Sequence, residues 1–134
     1  MKTKTANISE GLVTFQIPSD WKIKNKDNNS ISITFPHGEY PVLRAHVESI
    51  VDPKVISKNK LEAYLNHGVD SKFQNSAVSS DDMLKLSYRA TIENENNLQV
   101  WRVAKVLNKR FIRIITLALS WPENKDANLL VEKL

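Results

Sequence analysis

The sequence predicts an α+β fold built on an antiparallel sheet, and three observations carry that expectation. Leu84, Leu86, Tyr88, Ala90 and Ile92 alternate without a break against Lys85, Ser87, Arg89, Thr91 and Glu93. Residues 98–107 and 111–119 continue as further strands after polar connections at 93–97 and at Asn108 and Lys109. The period then changes after Pro122, where Ala127, Leu130, Val131 and Leu134 fall at helical spacing, with Glu123 and Asp126 near the positive end. Residues 83–134 are therefore expected to form three consecutive antiparallel strands closed by an amphipathic helix.

The preceding elements follow from the same patterns. Val13, Phe15 and Ile17 alternate with Leu12, Thr14 and Gln16, which predicts a strand with one buried face, and Pro18, Ser19 and Asp20 supply turn chemistry. Trp21 and Ile23 alternate with Lys22 and Lys24 in a short strand, and Ile31, Ile33 and Phe35 with Ser32 and Thr34 in another. Between 42 and 51, Leu43, Ala45, Val47 and Val51 share a face while Arg44, His46 and Glu48 take the other, until Asp52 and Pro53 stop the strand. Leu61, Tyr64, Leu65, Gly68, Val69 and Phe73 then follow three-and-four spacing and predict a helix from about residue 58 to about 74. Asn59 and Glu62 are spaced as a capping box, with Ser57 a competing cap. The serine- and aspartate-rich residues 75–82 read as a loop. Residues 111–119 are apolar except at Arg113 and Thr116, the pattern of a central strand covered on both faces.

Length and composition bound the rest. A chain of 134 residues with 41% hydrophobic content fits one domain over 1–134, burying roughly two thirds of its unfolded surface, with residues 1–10 flexible. A 25% charged content with only 3 glycines fits neither a disordered nor a low-complexity protein. The absence of cysteine excludes disulfides, thiolate metal sites and a cysteine nucleophile. Lys2 and Lys4 are followed by no apolar run, so neither a signal peptide nor a membrane anchor is expected there, and the placement expected is cytoplasmic. The net charge of +4 comes from 19 basic against 15 acidic residues spread along the chain. Phosphate binding requires clustered charge, so the spread argues against a nucleic-acid partner.

Catalytic and metal chemistry finds little support. His37, His46 and His67 fall in a turn, on a strand and on a helix, with no ligand spacing, and the Asp81–Asp82 doublet precedes a strand with its carboxylates pointing apart. Gly11, Gly38 and Gly68 make no phosphate cradle. No enzyme activity, metal or cofactor is expected. The basic residues Lys85, Arg89, Arg102, Lys105, Arg110 and Arg113 lie on or between neighbouring strands, forming either a cationic binding surface or the wet side of a sheet. Arg102 and Arg113 interrupt apolar stretches and need a partner if buried. Trp101 either packs under a helix or anchors a partner, while Trp21 and Trp121 lie beside proline turns as lids on the core.

The layout resembles the PsbP-like superfamily, which includes PsbP, Mog and DcrB-type proteins and the chaperones of type VI secretion effectors. The resemblance rests on Val13, Phe15, Ile17, Pro18 and Trp21, on the helix around Leu61 to Phe73, on the hairpins between Leu84 and Leu119, and on Ser120, Trp121, Pro122 and Glu123 before a last helix. It implies a curved antiparallel sheet of about six strands flanked by helices, an α/β/α sandwich without catalysis that binds another protein. The chaperone branch carries a glutamine-arginine-glutamine strand motif where this chain has Val100, Trp101, Arg102 and Val103. The function expected is a non-enzymatic bacterial protein-binding domain, such as an adaptor or chaperone for a secreted effector, with contacts through Tyr88, Arg89, Trp101, Arg102 and Arg113. The alternative is a carrier of a small apolar ligand in a pocket between sheet and long helix, near Trp101 and Tyr88, and a homodimer stays open.

Overall fold

The computed structural model describes residues 2–8, 13–35, 42–74, 77–80, 83–92, 96–122, 125, 127 and 129. Within them the period-two stretches become strands: β1 (Thr3–Ile8), β2 (Val13–Pro18), β3 (Lys22–Asp27), β4 (Ser30–Thr34), β5 (Val42–Val51), β6 (Ala77–Ser80), β7 (Met83–Ile92), β8 (Asn96–Asn108) and β9 (Phe111–Pro122). One helix, α1 (Lys58–Leu65), lies between β5 and β6. The fold is α+β. Seven strands form one antiparallel sheet in the order β3-β4-β5-β9-β8-β7-β6, and β1 and β2 form a separate hairpin.

β9 occupies the middle of that order, and its alternation divides the core between the two faces of the sheet. Ile112 and Ile114 join Leu84, Leu86 and Ala104 beneath Leu61, Leu65 and Val69 on the α1 face. On the second face, Ile115 and Leu117 pack with Ile31, Ile33, Ala45 and Val47 under Ala6, Ile8 and Ile17 of the hairpin. Each fully buried aliphatic side chain contributes about 1.5–3 kcal/mol, so this two-sided burial accounts for the unbroken apolar run of β9. Helical backbone at Lys125, Ala127 and Leu129 continues the chain, and Ala127 packs with Phe35, Leu119 and Trp121. Leu130, Val131 and Leu134, expected on the same helix, lie outside the described residues.

Three expectations are corrected. The amino-terminal residues are not free along 3–8: β1 pairs with β2, setting Ala6 opposite Phe15 and Ile8 opposite Val13, with Ala6 and Ile8 at 0% and 1% exposure. The apolar side of β1 is only two residues long and one of them is alanine, so its alternation is faint. The stretch read as a loop contains β6, which pairs Ala77 with Lys85 and Val78 with Leu84, giving the backbone of β7 a partner on that side. The helix ends at Leu65 instead of about 74. Asn66 caps it through a backbone N–H donated to the Glu62 carbonyl, and Gly68 adopts φ +75°, a left-handed conformation that glycine accepts without a Cβ clash. Val69 and Phe73 still reach the same core, Phe73 from a single 3-10 turn at Ser71–Phe73. At the other end Ser57, not Asn59, is the N-cap, its side chain accepting from the Lys60 backbone N–H.

Asp52 ties the end of β5 to α1. Its carboxylate accepts from the Lys54 backbone N–H at 2.8 Å, the Tyr64 hydroxyl at 2.7 Å and Lys60 Nζ at 3.1 Å. The Lys54 N–H first, then the Tyr64 hydroxyl, hold this carboxyl down at about 2, and the same contact with Asp52 raises the Tyr64 phenol.

Candidate functional site

The β1–β2 hairpin covers only part of its sheet face. Its apolar contacts fall on β3, β4, β5 and β9, and among the described residues the hairpin leaves the same face of β7 and β8 open. Strand register fixes which side chains share that open area. Arg89 lies opposite Gln99, which lies opposite Leu119; Ser87, Trp101 and Leu117 form the next row; Lys85, Val103 and Ile115 the third; Met83, Lys105 and Arg113 the fourth. Lys85, Ser87, Arg89 and Lys105 are exposed, and Trp101 retains 40% exposure, uncommon for so large an apolar ring.

At one end of this area the face sinks into a cleft of about 600 Å³. Leu43, Leu117 and Leu119 supply its aliphatic part from the sheet, and Trp101, Gln99 and Arg89 border it from β8 and β7. Trp21 stacks on Phe35 with centroids 4.1 Å apart and 19° between planes, and the two close one side. Trp121, 2% exposed, completes the lining and carries the Arg89 guanidinium carbon 5.1 Å from its ring centroid. The Gln99 amide donates Nε2 to Ser87 Oγ at 3.1 Å and to the Val100 carbonyl at 3.3 Å.

The charge around Trp101 is one-sided. On this face β7, β8 and β9 carry Lys85, Arg89, Lys105 and Arg113 and no acidic residue. Lys105 and Arg113 stand directly opposite each other, a like-charge pairing that costs stability and is not relieved by a carboxylate among the described residues. Arg113 Nε is buried without a hydrogen-bond partner. Both side chains border a second depression of about 420 Å³, with Val13, Thr14, Leu107 and Ile115.

The five expected contact residues do not share one surface. Arg89, Trp101 and Arg113 face the open area, whereas Tyr88 and Arg102 point to the α1 face. Tyr88 stacks on Phe73 with centroids 4.6 Å apart, and Arg102, 8% exposed, donates Nη1 to the His67 carbonyl at 2.9 Å. Burial pushes the Arg102 guanidinium below its ordinary value, offset in part by the charge of Glu48. Arg102 thus closes the turn after α1. The expected pocket between helix and sheet is likewise relocated: Leu61, Leu65 and Val69 pack directly on the sheet, and the cleft opens on the opposite face with Trp101 but without Tyr88.

The sequence patterns single out none of Leu43, Gln99, Leu117 and Leu119 as site residues and place Trp21 and Trp121 only as lids, whereas all six line the cleft. The alternation of β9 already placed Leu117, Leu119 and Trp121 on one side, so the signal was present there. Leu43 joins them through the β5–β9 register. Among the described residues no group of three or more His, Asp or Glu side chains could hold a metal ion. His46 Nδ1 lies 3.4 Å from Ser30 Oγ, while His37, Asp81 and Asp82 lie outside the described residues. No described helix is long and apolar enough to cross a membrane.

The seven-stranded antiparallel sheet, with α1 on one face and a hairpin on the other, is a Mog1p-like fold. A solved structure of this shape is the Ran-binding protein Mog1p of Saccharomyces cerevisiae: TM-score 0.54, 9% sequence identity, 99% of this chain and 84% of that one covered. At that identity the likeness is one of fold. No family model matches the chain, and no curated protein sequence matches it.

Proposed function

We propose that the chain is a non-catalytic protein-binding domain that docks its partner on the open β7–β8 area around Trp101. One observation carries the proposal: a half-exposed tryptophan stands beside a 600 Å³ apolar cleft on a strand face that bears four basic residues, Lys85, Arg89, Lys105 and Arg113, and no acidic one. A buried aromatic anchor ringed by polar groups is the usual energetic centre of a protein interface. The cleft presents one cation and one amide and no nucleophile or general base, which favours binding over chemistry. Mog1p is a Ran-binding protein, and the shared fold supports a protein partner here. An adaptor or chaperone that shelters an apolar segment of a secreted effector is the most concrete form of this role. Affinity capture with the wild-type chain and with Trp101→Ala tests it. A stoichiometric partner retained by the first and lost by the second is expected, and no partner over a range of salt concentrations counts against it.

A second function, carriage of a small apolar ligand, is favoured by the cleft itself, whose volume falls within the range of about 300–1,000 Å³ typical of ligand sites. Native mass spectrometry of the purified chain reads it directly. A retained mass lost in Leu119→Trp supports carriage, and a bare chain under gentle conditions opposes it.

A further inference from the structure

Resting on the docking role proposed above, we infer that the partner is recognised through an extended acidic segment carrying one large apolar side chain, laid along β7 and β8. The rows of the open area are two residues apart on each strand, about 7 Å. They read, in order, a cation (Arg89), an aromatic (Trp101, beside the cleft), a cation (Lys85) and a cation pair (Lys105 and Arg113). A polypeptide in extended conformation turns every second side chain to the same side with the same pitch. A segment of seven residues, about 20 Å long, therefore matches all four rows in the pattern acid, spacer, apolar, spacer, acid, spacer, acid.

Charge complementarity selects the occupant. Arg89 has no ion pair with any described residue, and Lys105 and Arg113 repel each other until an anion lies between them. The apolar side chain enters the cleft against Leu117 and Trp101, where burying it returns the largest share of the binding energy. Single-stranded nucleic acid also carries charge at a regular pitch, but its recognition uses successive stacking rings and free groups for base edges. Among the described residues Trp101 is the one exposed ring of this area, and the Nε2 group of its amide, Gln99, is already engaged by Ser87 and Val100.

Fluorescence polarisation with the full chain tests the inference. The probes are a labelled peptide of sequence glutamate-serine-leucine-serine-glutamate-serine-glutamate, its reshuffled isomer with the glutamates adjacent, and a short oligothymidylate. The patterned peptide is expected to bind in the micromolar range and to weaken with salt. The isomer should bind at least about fivefold more weakly, as should follow from losing several exposed charge contacts. Trp101→Ala should weaken the patterned peptide about tenfold or more, and Arg89→Gln or Lys85→Gln about two- to fivefold each. Lys24→Gln, exposed on β3 on the opposite face, should leave binding unchanged. No binding at about 1 mM peptide, equal binding of the isomer, or tighter binding of oligothymidylate overturns the inference. If the peptide fails while Trp101-dependent capture of a protein partner persists, the acidic segment is wrong and the docking area stands. If capture itself ignores Trp101, both fall.

Discussion

The Arg89 guanidinium carbon stands 5.1 Å from the centroid of the Trp121 ring, so an exposed cation at the rim of the cleft rests on an aromatic that is itself core. The contact orients Arg89 without neutralising it, which leaves its charge available to a partner. Arg89→Gln is expected to cost about 0.5–1 kcal/mol of stability, the worth of an exposed cation–π contact. Urea denaturation followed by tryptophan fluorescence measures it, and a loss several times larger would mean that Arg89 is a structural residue.

Asp52 makes the fold sensitive to acid. Its folded-state carboxyl titrates at about 2, below the ordinary carboxylate value of 3.8, so its contribution to stability is present above about 4 and lost as the pH falls toward 2. Asp52→Asn should lower the melting temperature at neutral pH and converge with the wild type near pH 2. Tyr64 works in the opposite direction. Its phenol is raised above 10.0, so its contribution holds below that pH and is lost as the pH rises beyond it. Melting curves of Asp52→Asn and Tyr64→Phe across this range check both signs.

Gly68 separates a conformational cost from a packing cost. Its φ is +75°, and nothing lies within 4 Å of where a Cβ would stand. Gly68→Ala should therefore destabilise by about 1–2 kcal/mol through the backbone alone. Gly68→Asn should cost less, because asparagine tolerates the left-handed region. Equal losses would point to a clash absent from this geometry.

Leu65 has no exposed surface and lies between α1 and the sheet. Leu65→Ala should cost about 2–5 kcal/mol, the range for a large side chain deleted from a packed core. Chemical denaturation gives the value. A loss below about 1 kcal/mol would mean that the space beneath α1 is loosely filled, which would revive a pocket there.

Much of this fold is legible in the sequence where one face of an element is buried. Leu84, Leu86 and Tyr88 alternate with Lys85, Ser87 and Arg89 because α1 covers one side of β7 while the other faces the open area, and Ile112 to Leu119 run apolar because β9 is covered twice. β1 and β6 were missed because their strand character comes from the neighbour they pair with, not from a long alternation of their own. Helix length was overestimated because Val69 and Phe73 keep helical spacing to Leu61 and Leu65 while the chain between them turns at Gly68. The candidate site was half legible. Trp101 and Arg102, like Tyr88 and Arg89, are adjacent in their strands, so period-two alternation by itself sends them to opposite faces and the four cannot share one surface. The β7–β8 register, Leu86 opposite Arg102, adds that Arg102 lies on the α1 face. The cleft required the strand order as well, since Leu43 meets Leu119 only when β5 lies beside β9.

The most direct test of the docking area is site-specific photocrosslinking in the full chain, with benzoylphenylalanine placed at Lys85 or, as a control, at Lys24. Lys85 is exposed in the row next to Trp101, and Lys24 is exposed on the face that carries α1. Adducts to a protein partner from position 85, absent from position 24, are predicted. Adducts from position 24 alone, or equally from both, would contradict a partner docked on β7 and β8.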